Sequence, residues 1–111
     1  MLALPATMSV LPDSLVDEVA RRFALLGDPT RLRVVRALHD IGECSVQEVA
    51  DASRTSMANA SQHLARLRDG GIVQRRRVGK TVRYSISDPT IEALCETVCD
   101  SVRQRAQALT A

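Results

Sequence analysis

Aromatic residues are nearly missing from this chain: Phe23 and Tyr84 are the only two, tryptophan is absent, and the aromatic share is 2%. A core without rings has to be assembled from Leu, Val, Ile and Ala, which pack well between helices, and this argues against an all-β sandwich. Long hydrophobic runs are missing as well. Nothing approaches the roughly 20 apolar residues that cross a bilayer, and the opening MLALPATMSVLP lacks a basic leader and is interrupted by Pro5, so it makes a poor signal peptide. Cysteine is scarce, with Cys44, Cys95 and Cys99 making an odd count. Without secretory context that count points to free thiols or ligands and away from a disulfide framework. There is no Cys-x-x-Cys, no phosphate-cradling glycine loop and no obvious pair of catalytic carboxylates, which weighs against a small thiol redox enzyme. These absences lead to the expectation of a cytoplasmic protein that is no enzyme, spans no membrane and needs no cofactor to fold.

Acid is missing where base is abundant. Between residues 54 and 83 stand Arg54, Arg66, Arg68, Arg75, Arg76, Arg77, Lys80 and Arg83 against the single acid Asp69, a local balance of +7 that leaves −5 for the rest of a chain whose net charge is only +2. Positive charge gathered on one contiguous stretch and removed from the remainder is the footprint of a surface that docks on a phosphate backbone.

The 111 residues, 45% of them apolar, suffice for one domain. Residues 1–11 read as a flexible tail and 12–111 as the folded unit. Leu15, Val19, Phe23 and Leu26 recur at helical spacing, with Asp13 as the expected cap and Gly27 as the stop. A second helix is expected from Asp28-Pro29, an N-cap followed by a proline suited to the first helical position, with Leu32, Val35, Leu38 and Ile41 as its apolar stripe and Gly42 as its end. Ser45 followed by Glu48 is a capping-box pattern that opens a short helix through Val46, Val49 and Ala50. After the polar turn Arg54-Thr55-Ser56, Ala60, Leu64 and Leu67 mark the inner face of a fourth helix ending at Gly70-Gly71. Residues 72–77 and 82–86 are β-prone and read as a hairpin. Asp88-Pro89 then opens a last helix with the stripe Ile91, Leu94, Cys95, Val98, Val102 and Leu109.

The expected fold class is therefore mostly α with a small β-hairpin, in the order four helices, two strands, one helix. Two short helices joined by a tight polar turn, the second running at once into a two-stranded ribbon, make a winged helix-turn-helix. The outer face of the fourth helix offers Ser56, Met57, Asn59, Ser61, Gln62, His63 and Arg66, mostly short hydrogen-bonding groups able to approach base edges or phosphates in a major groove, with Met57 able to meet a thymine methyl. Arg75, Arg77, Lys80 and Arg83 of the hairpin, with Arg76 among them, are placed to straddle the adjacent backbone or enter the minor groove. A solvated strand face is the alternative reading of the arginine run, and an ordinary surface hydrogen bonder that of His63. The expected partners are double-stranded operator DNA and a second copy of the chain, because the small aliphatic core and the apolar sides of the terminal helices call for burial against a homodimer partner.

Four blocks carry a resemblance to a known family: Ala24-Leu25-Leu26-Gly27-Asp28-Pro29-Thr30-Arg31-Leu32-Arg33, Gly42-Glu43-Cys44-Ser45-Val46-Gln47-Glu48-Val49-Ala50, Ser61-Gln62-His63-Leu64-Ala65-Arg66-Leu67-Arg68, and Gly71-Ile72-Val73 through Val82-Arg83-Tyr84-Ser85-Ile86. In order and spacing they resemble the ArsR/SmtB transcriptional repressors. The resemblance implies a dimeric winged-helix repressor, held together by its first and last helices, that leaves its operator when an inducer binds. Many members sense metals or metalloids, others thiol oxidation or sulfur species, and some have no known small inducer.

The family's sensing sites are not reproduced position by position. The Cys-Val-Cys that senses soft metals before the third helix falls here on Ser45 and Gln47, with Cys44 one residue earlier. Of the last-helix zinc ligands only Asp88 matches, the others falling on Thr90, Ser101 and Gln104. Cys95 and Cys99 remain as sensing candidates, since a separation of four puts them on one helix face and pairing two such helices could gather four thiols. Soft thiolates suit arsenite, cadmium, lead, mercury, zinc or copper(I) as inducer; the alternative is that both cysteines are small apolar residues packed in an interface. Cys44 at a helix start is either structural or made reactive by a lowered thiol pKa. His39 ends the second helix, where a histidine suits the dipole. Beside the inducible repressor stand two other readings: a ligand-independent winged-helix regulator or architectural DNA-binding protein, and, remotely, a small thiol redox enzyme.

Overall fold

A computed structural model describes residues 11–110. The expected tail, residues 1–11, lies outside the described residues except at its final position. Five helices and one hairpin follow in the expected order: α1 Asp13–Leu26, α2 Pro29–Ile41, α3 Val46–Ser53, α4 Met57–Asp69, β1 Val73–Val78, β2 Thr81–Ile86 and α5 Pro89–Thr110.

Local chemistry accounts for most of the boundaries. The Asp28 carboxylate accepts from the Arg31 N–H at 2.9 Å and caps α2, with Pro29 in its first turn. Gly42 closes that helix at φ 93°, ψ −134°, a backbone state reserved for glycine. Ser45 and Glu48 form the capping box of α3 reciprocally, Glu48 N–H to Ser45 Oγ at 3.2 Å and Ser45 N–H to Glu48 Oε1 at 3.1 Å. Arg54 turns the chain between α3 and α4 in the left-handed region, φ 56°. One expected cap is corrected: Pro12 stands at the N-cap of α1, and Asp13 is instead the acidic residue of its first turn, where it favours the helix dipole.

The core lies around α2, α3 and α4 and is closed by the root of the hairpin. Val34, Val35 and Leu38 of α2, Val49 and Ala50 of α3, and Ala60, Leu64 and Leu67 of α4 pack with Cys44, Ile72, Val73, Tyr84 and Ile91. Tyr84, half of the aromatic inventory, fills the strand side of this cluster. The second-helix stripe is corrected at its ends: Val35 and Leu38 are buried as expected, but Val34 and Ala37 join them, whereas Leu32 and Ile41 are exposed. The terminal helices depart further from the expected burial. None of the α1 residues is buried, and Ile91 is the buried residue of α5, so Val98, Val102 and Leu109 face outward together with Leu15, Val19 and Phe23 of α1.

The hairpin pairs antiparallel, Val73 with Ile86, Arg75 with Tyr84, Arg76 with Arg83 and Val78 with Thr81. Its root is tied to the loop between α2 and α3 by two backbone hydrogen bonds, Cys44 N–H to Tyr84 O at 2.9 Å and Tyr84 N–H to Cys44 O at 2.7 Å. No described helix is long and apolar enough to cross a membrane.

Candidate nucleic-acid interface

The reading helix is set by its inner face. Because Ala60, Leu64 and Leu67 are fully buried, residues between them at helical spacing must point away, and Met57, Asn59, Ser61, Gln62 and Arg66 are indeed exposed. Ser56 is also exposed, but its hydroxyl oxygen is engaged as the N-cap, accepting from Asn59 N–H at 3.1 Å. His63 stands apart from this face: it is half-buried and its Nδ1 is enclosed with no partner, so that atom does not face a groove.

The hairpin divides its five cations into two groups. Among the described residues, no acid pairs with Arg75, Arg77 or Lys80, which are all exposed. Arg76 and Arg83, facing each other across the strands, are instead held by acids outside the hairpin. Arg76 grips Glu43 with Nη2 at 2.6 Å and Nε at 3.2 Å. Arg83 places Nε 3.6 Å from Glu43 and Nη2 3.4 Å from Glu48, and donates to the Glu43 carbonyl at 3.1 Å. The hydrogen bond from Arg76 holds the Glu43 carboxyl below the usual carboxylate range. The hydrogen bonds of Ser45 do the same for Glu48, with a smaller contribution from Arg83. No local pattern in the sequence shows this clamp, since its partners are separated by 33 to 40 positions.

The cysteines also separate into two environments. Cys44 is enclosed in the core and donates its thiol to the Gly42 carbonyl at 3.2 Å; burial pushes that thiol up, the Glu48 charge adding to the effect. The shift is thus opposite in direction to the lowering considered for a helix-start cysteine. Cys95 and Cys99 line a groove of about 730 Å³ between α2 and α5, together with Arg36, His39, Glu92 and Glu96. Cys95 is half-buried and its thiol is raised by burial first and by Cys99 second, whereas Cys99 itself is exposed. His39 bonds Glu92 at 2.6 Å and lies 3.4 Å from Glu96, and the Glu92 hydrogen bond raises its pKa. Asp88 is committed elsewhere: it accepts from Arg22 Nη1 at 2.6 Å and from the Thr90 N–H at 3.0 Å, joining α1 to the start of α5. Among the described residues, no group of three or more His, Cys, Asp or Glu side chains is placed to hold a metal ion within one chain.

This arrangement of exposed helix and ribbon recurs in known proteins. A helix-turn-helix domain family matches residues 26–76. The arsenical resistance operon repressor of Escherichia coli is 35% identical over 91 residues, which cover 78% of this chain and 77% of that protein. The chain belongs to the ArsR/SmtB family of winged helix-turn-helix transcriptional regulators. The relatives and structural neighbours it matches are DNA-binding transcriptional regulators. A cadmium resistance transcriptional regulatory protein of Staphylococcus aureus, a CadC homolog, is 39% identical over 79 residues, 71% of this chain and 65% of that protein, just under two thirds of its length. The homodimeric winged helix-turn-helix DNA-binding domain of a possible ArsR-family regulator from Mycobacterium bovis superposes with a TM-score of 0.73 at 29% identity, covering 95% of both chains.

Proposed function

We propose that the chain is a cytoplasmic repressor that binds a palindromic operator as a homodimer and is released by a soft metal, metalloid or thiol-reactive inducer acting at Cys95 and Cys99. The observation that carries the DNA part is the separation of roles around one core. Asn59, Ser61, Gln62 and Arg66 of α4 stand exposed over a fully buried inner face, suited to reading bases, with Ser56 and Met57 at the tip of the helix. Arg75, Arg77 and Lys80 stand exposed and unpaired among the described residues, suited to holding phosphates. Arg83, expected as a further contact, is the least available of these because two glutamates already engage it, and His63 serves packing against the helix better than a groove contact. Two-fold symmetry spaces the half-sites by about one DNA turn, ~34–36 Å.

The inducer part rests on the adjoining thiols and on what the relatives are named for, cadmium resistance and arsenical resistance. One chain supplies two soft donors, so any further donor comes from the second copy. Binding there competes with protons, because burial keeps Cys95 in its thiol form. A preference for the low-affinity conformation of only ~1–3 kcal/mol changes operator affinity about 5- to 150-fold.

Gel-shift titrations at several salt concentrations test the assignment. Arg77→Ala or Lys80→Ala weakens binding to every sequence and makes the salt dependence shallower by about 0.9 per contact, while Asn59→Ala or Gln62→Ala costs roughly 1–3 kcal/mol of discrimination at a contacted base. Equal losses on operator and random duplex from both classes contradict it. In the same assay Cys95→Ser with Cys99→Ser abolishes release by arsenite or cadmium, and wild-type release strengthens as pH rises. Unchanged release from the double variant supports the ligand-independent reading instead.

A further inference from the structure

Arg76 and Arg83 stand directly opposite each other across the hairpin, a like-charge pair that is unfavourable by itself. What makes it tolerable is Glu43. The two backbone hydrogen bonds between Cys44 and Tyr84 pin residue 44 beside β2, which fixes the preceding glutamate against both arginines. The contact to Arg76 is two-pronged, and Arg83 adds its bond to the Glu43 carbonyl. The pairing neutralises the middle of a ribbon on which Arg75, Arg77 and Lys80 remain charged.

We propose that Glu43 is a specificity-determining residue that withholds Arg76 and Arg83 from DNA phosphate, so that the sequence-independent part of binding is kept small and the α4 contacts decide where the protein stays. The proposal rests on the DNA-binding reading above. Its logic is electrostatic: each phosphate neutralised by a cation steepens the fall of log K with log salt by about 0.9 and tightens binding to every sequence alike. For Arg76 to reach a phosphate, Glu43 would be left unpaired beside a second negative charge, which opposes the exchange. Glu48 and the Glu43 carbonyl also hold Arg83, so loss of the Glu43 charge frees Arg76 first and Arg83 only when the Glu48 charge is lost as well.

The experiment measures affinity of the full chain for a labelled random-sequence duplex between about 50 and 200 mM salt. Glu43→Gln keeps the side chain's shape and removes its charge. It is expected to bind the random duplex more tightly than wild type at low salt, with a slope steeper by about 0.9, which corresponds to an extra loss of roughly three- to fourfold across that salt range. Adding Glu48→Gln, which retains a capping-box residue, steepens it by about as much again. Arg76→Gln alone leaves the wild-type slope unchanged, and Glu43→Gln with Arg76→Gln returns to it. An unchanged slope in Glu43→Gln, or a slope shallower by about 0.9 in Arg76→Gln, overturns the proposal, the latter showing that Arg76 already holds a phosphate. Should Glu43→Gln fail to fold, Arg76→Gln still decides between these outcomes. A wild-type chain without salt-dependent binding to any duplex refutes the DNA-binding reading itself, a result separate from either slope.

Discussion

The two ends of this molecule solve the same problem differently. At the winged end, α2, α3, α4 and the hairpin root enclose their apolar side chains within one chain and leave charge outside; Leu64, Leu67 and Ile72 are fully buried there. At the other end, α1 and α5 carry equally apolar stripes but leave them uncovered, with Phe23 54%, Val102 61% and Leu109 86% exposed. A single copy thus encloses its core at the winged end and leaves apolar side chains uncovered at the other. Under the proposed function, this division would let an inducer in the α2–α5 groove act on dimer geometry without disturbing the core that presents α4.

Substitutions at the two ends sharpen the contrast. The largest expected effect is Leu64→Ala, which opens a cavity in the enclosed core and costs about 2–5 kcal/mol of folding stability, read from urea unfolding. Val102→Asp at the uncovered end should leave the protomer's helical content unchanged while weakening the dimer at least tenfold, about 1.4 kcal/mol, as measured by sedimentation equilibrium. Equal loss of helix from both variants would erase the distinction between the ends. Gly42→Ala comes next: a Cβ there meets nothing within 4 Å, so its cost, about 1–3 kcal/mol, is purely the backbone strain of φ 93°.

The smallest effect is the pH dependence of the tie between α2 and α5. His39 is raised by its hydrogen bond to Glu92, with Glu96 and Asp40 adding to it. A raised folded-state pKa means the protonated ring favours the folded state. The contribution is therefore complete below the unfolded histidine value of about 6.5 and fades as pH climbs through the raised value. Hydrogen exchange in the first turns of α5 is expected to speed up, beyond its intrinsic pH dependence, across that window in wild type and not in His39→Gln. A matching rise in both would remove His39 as the cause.

What could be read from the sequence was what neighbours in sequence decide. Asp28-Pro29, Gly42 and the Ser45–Glu48 box set helix ends within four residues of themselves, and Ala60, Leu64 and Leu67 repeat at the helical period, so α2, α3 and α4 were legible. Leu32, Ile41 and the α5 stripe beyond Ile91 are apolar but not buried, because periodicity reports which side is apolar and not what covers it. Charge counting marked residues 54–83 as basic yet overstated the free charge, since Glu43 and Glu48 lie outside that window and reach in through the fold. For Cys44 the sequence leaves the structural and the reactive readings both open for a similar reason. The helix start is visible locally, whereas the burial that raises its thiol comes from β2 and the core.

The most direct test of the account is hydroxyl-radical footprinting of the full chain on the genomic fragment that it retains best against random competitor. Two protected patches on one face of the duplex, centred about one turn or ~34–36 Å apart and filled together by two protomers, are the predicted result. A single patch filled by one protomer, or no fragment retained above random DNA, would contradict it.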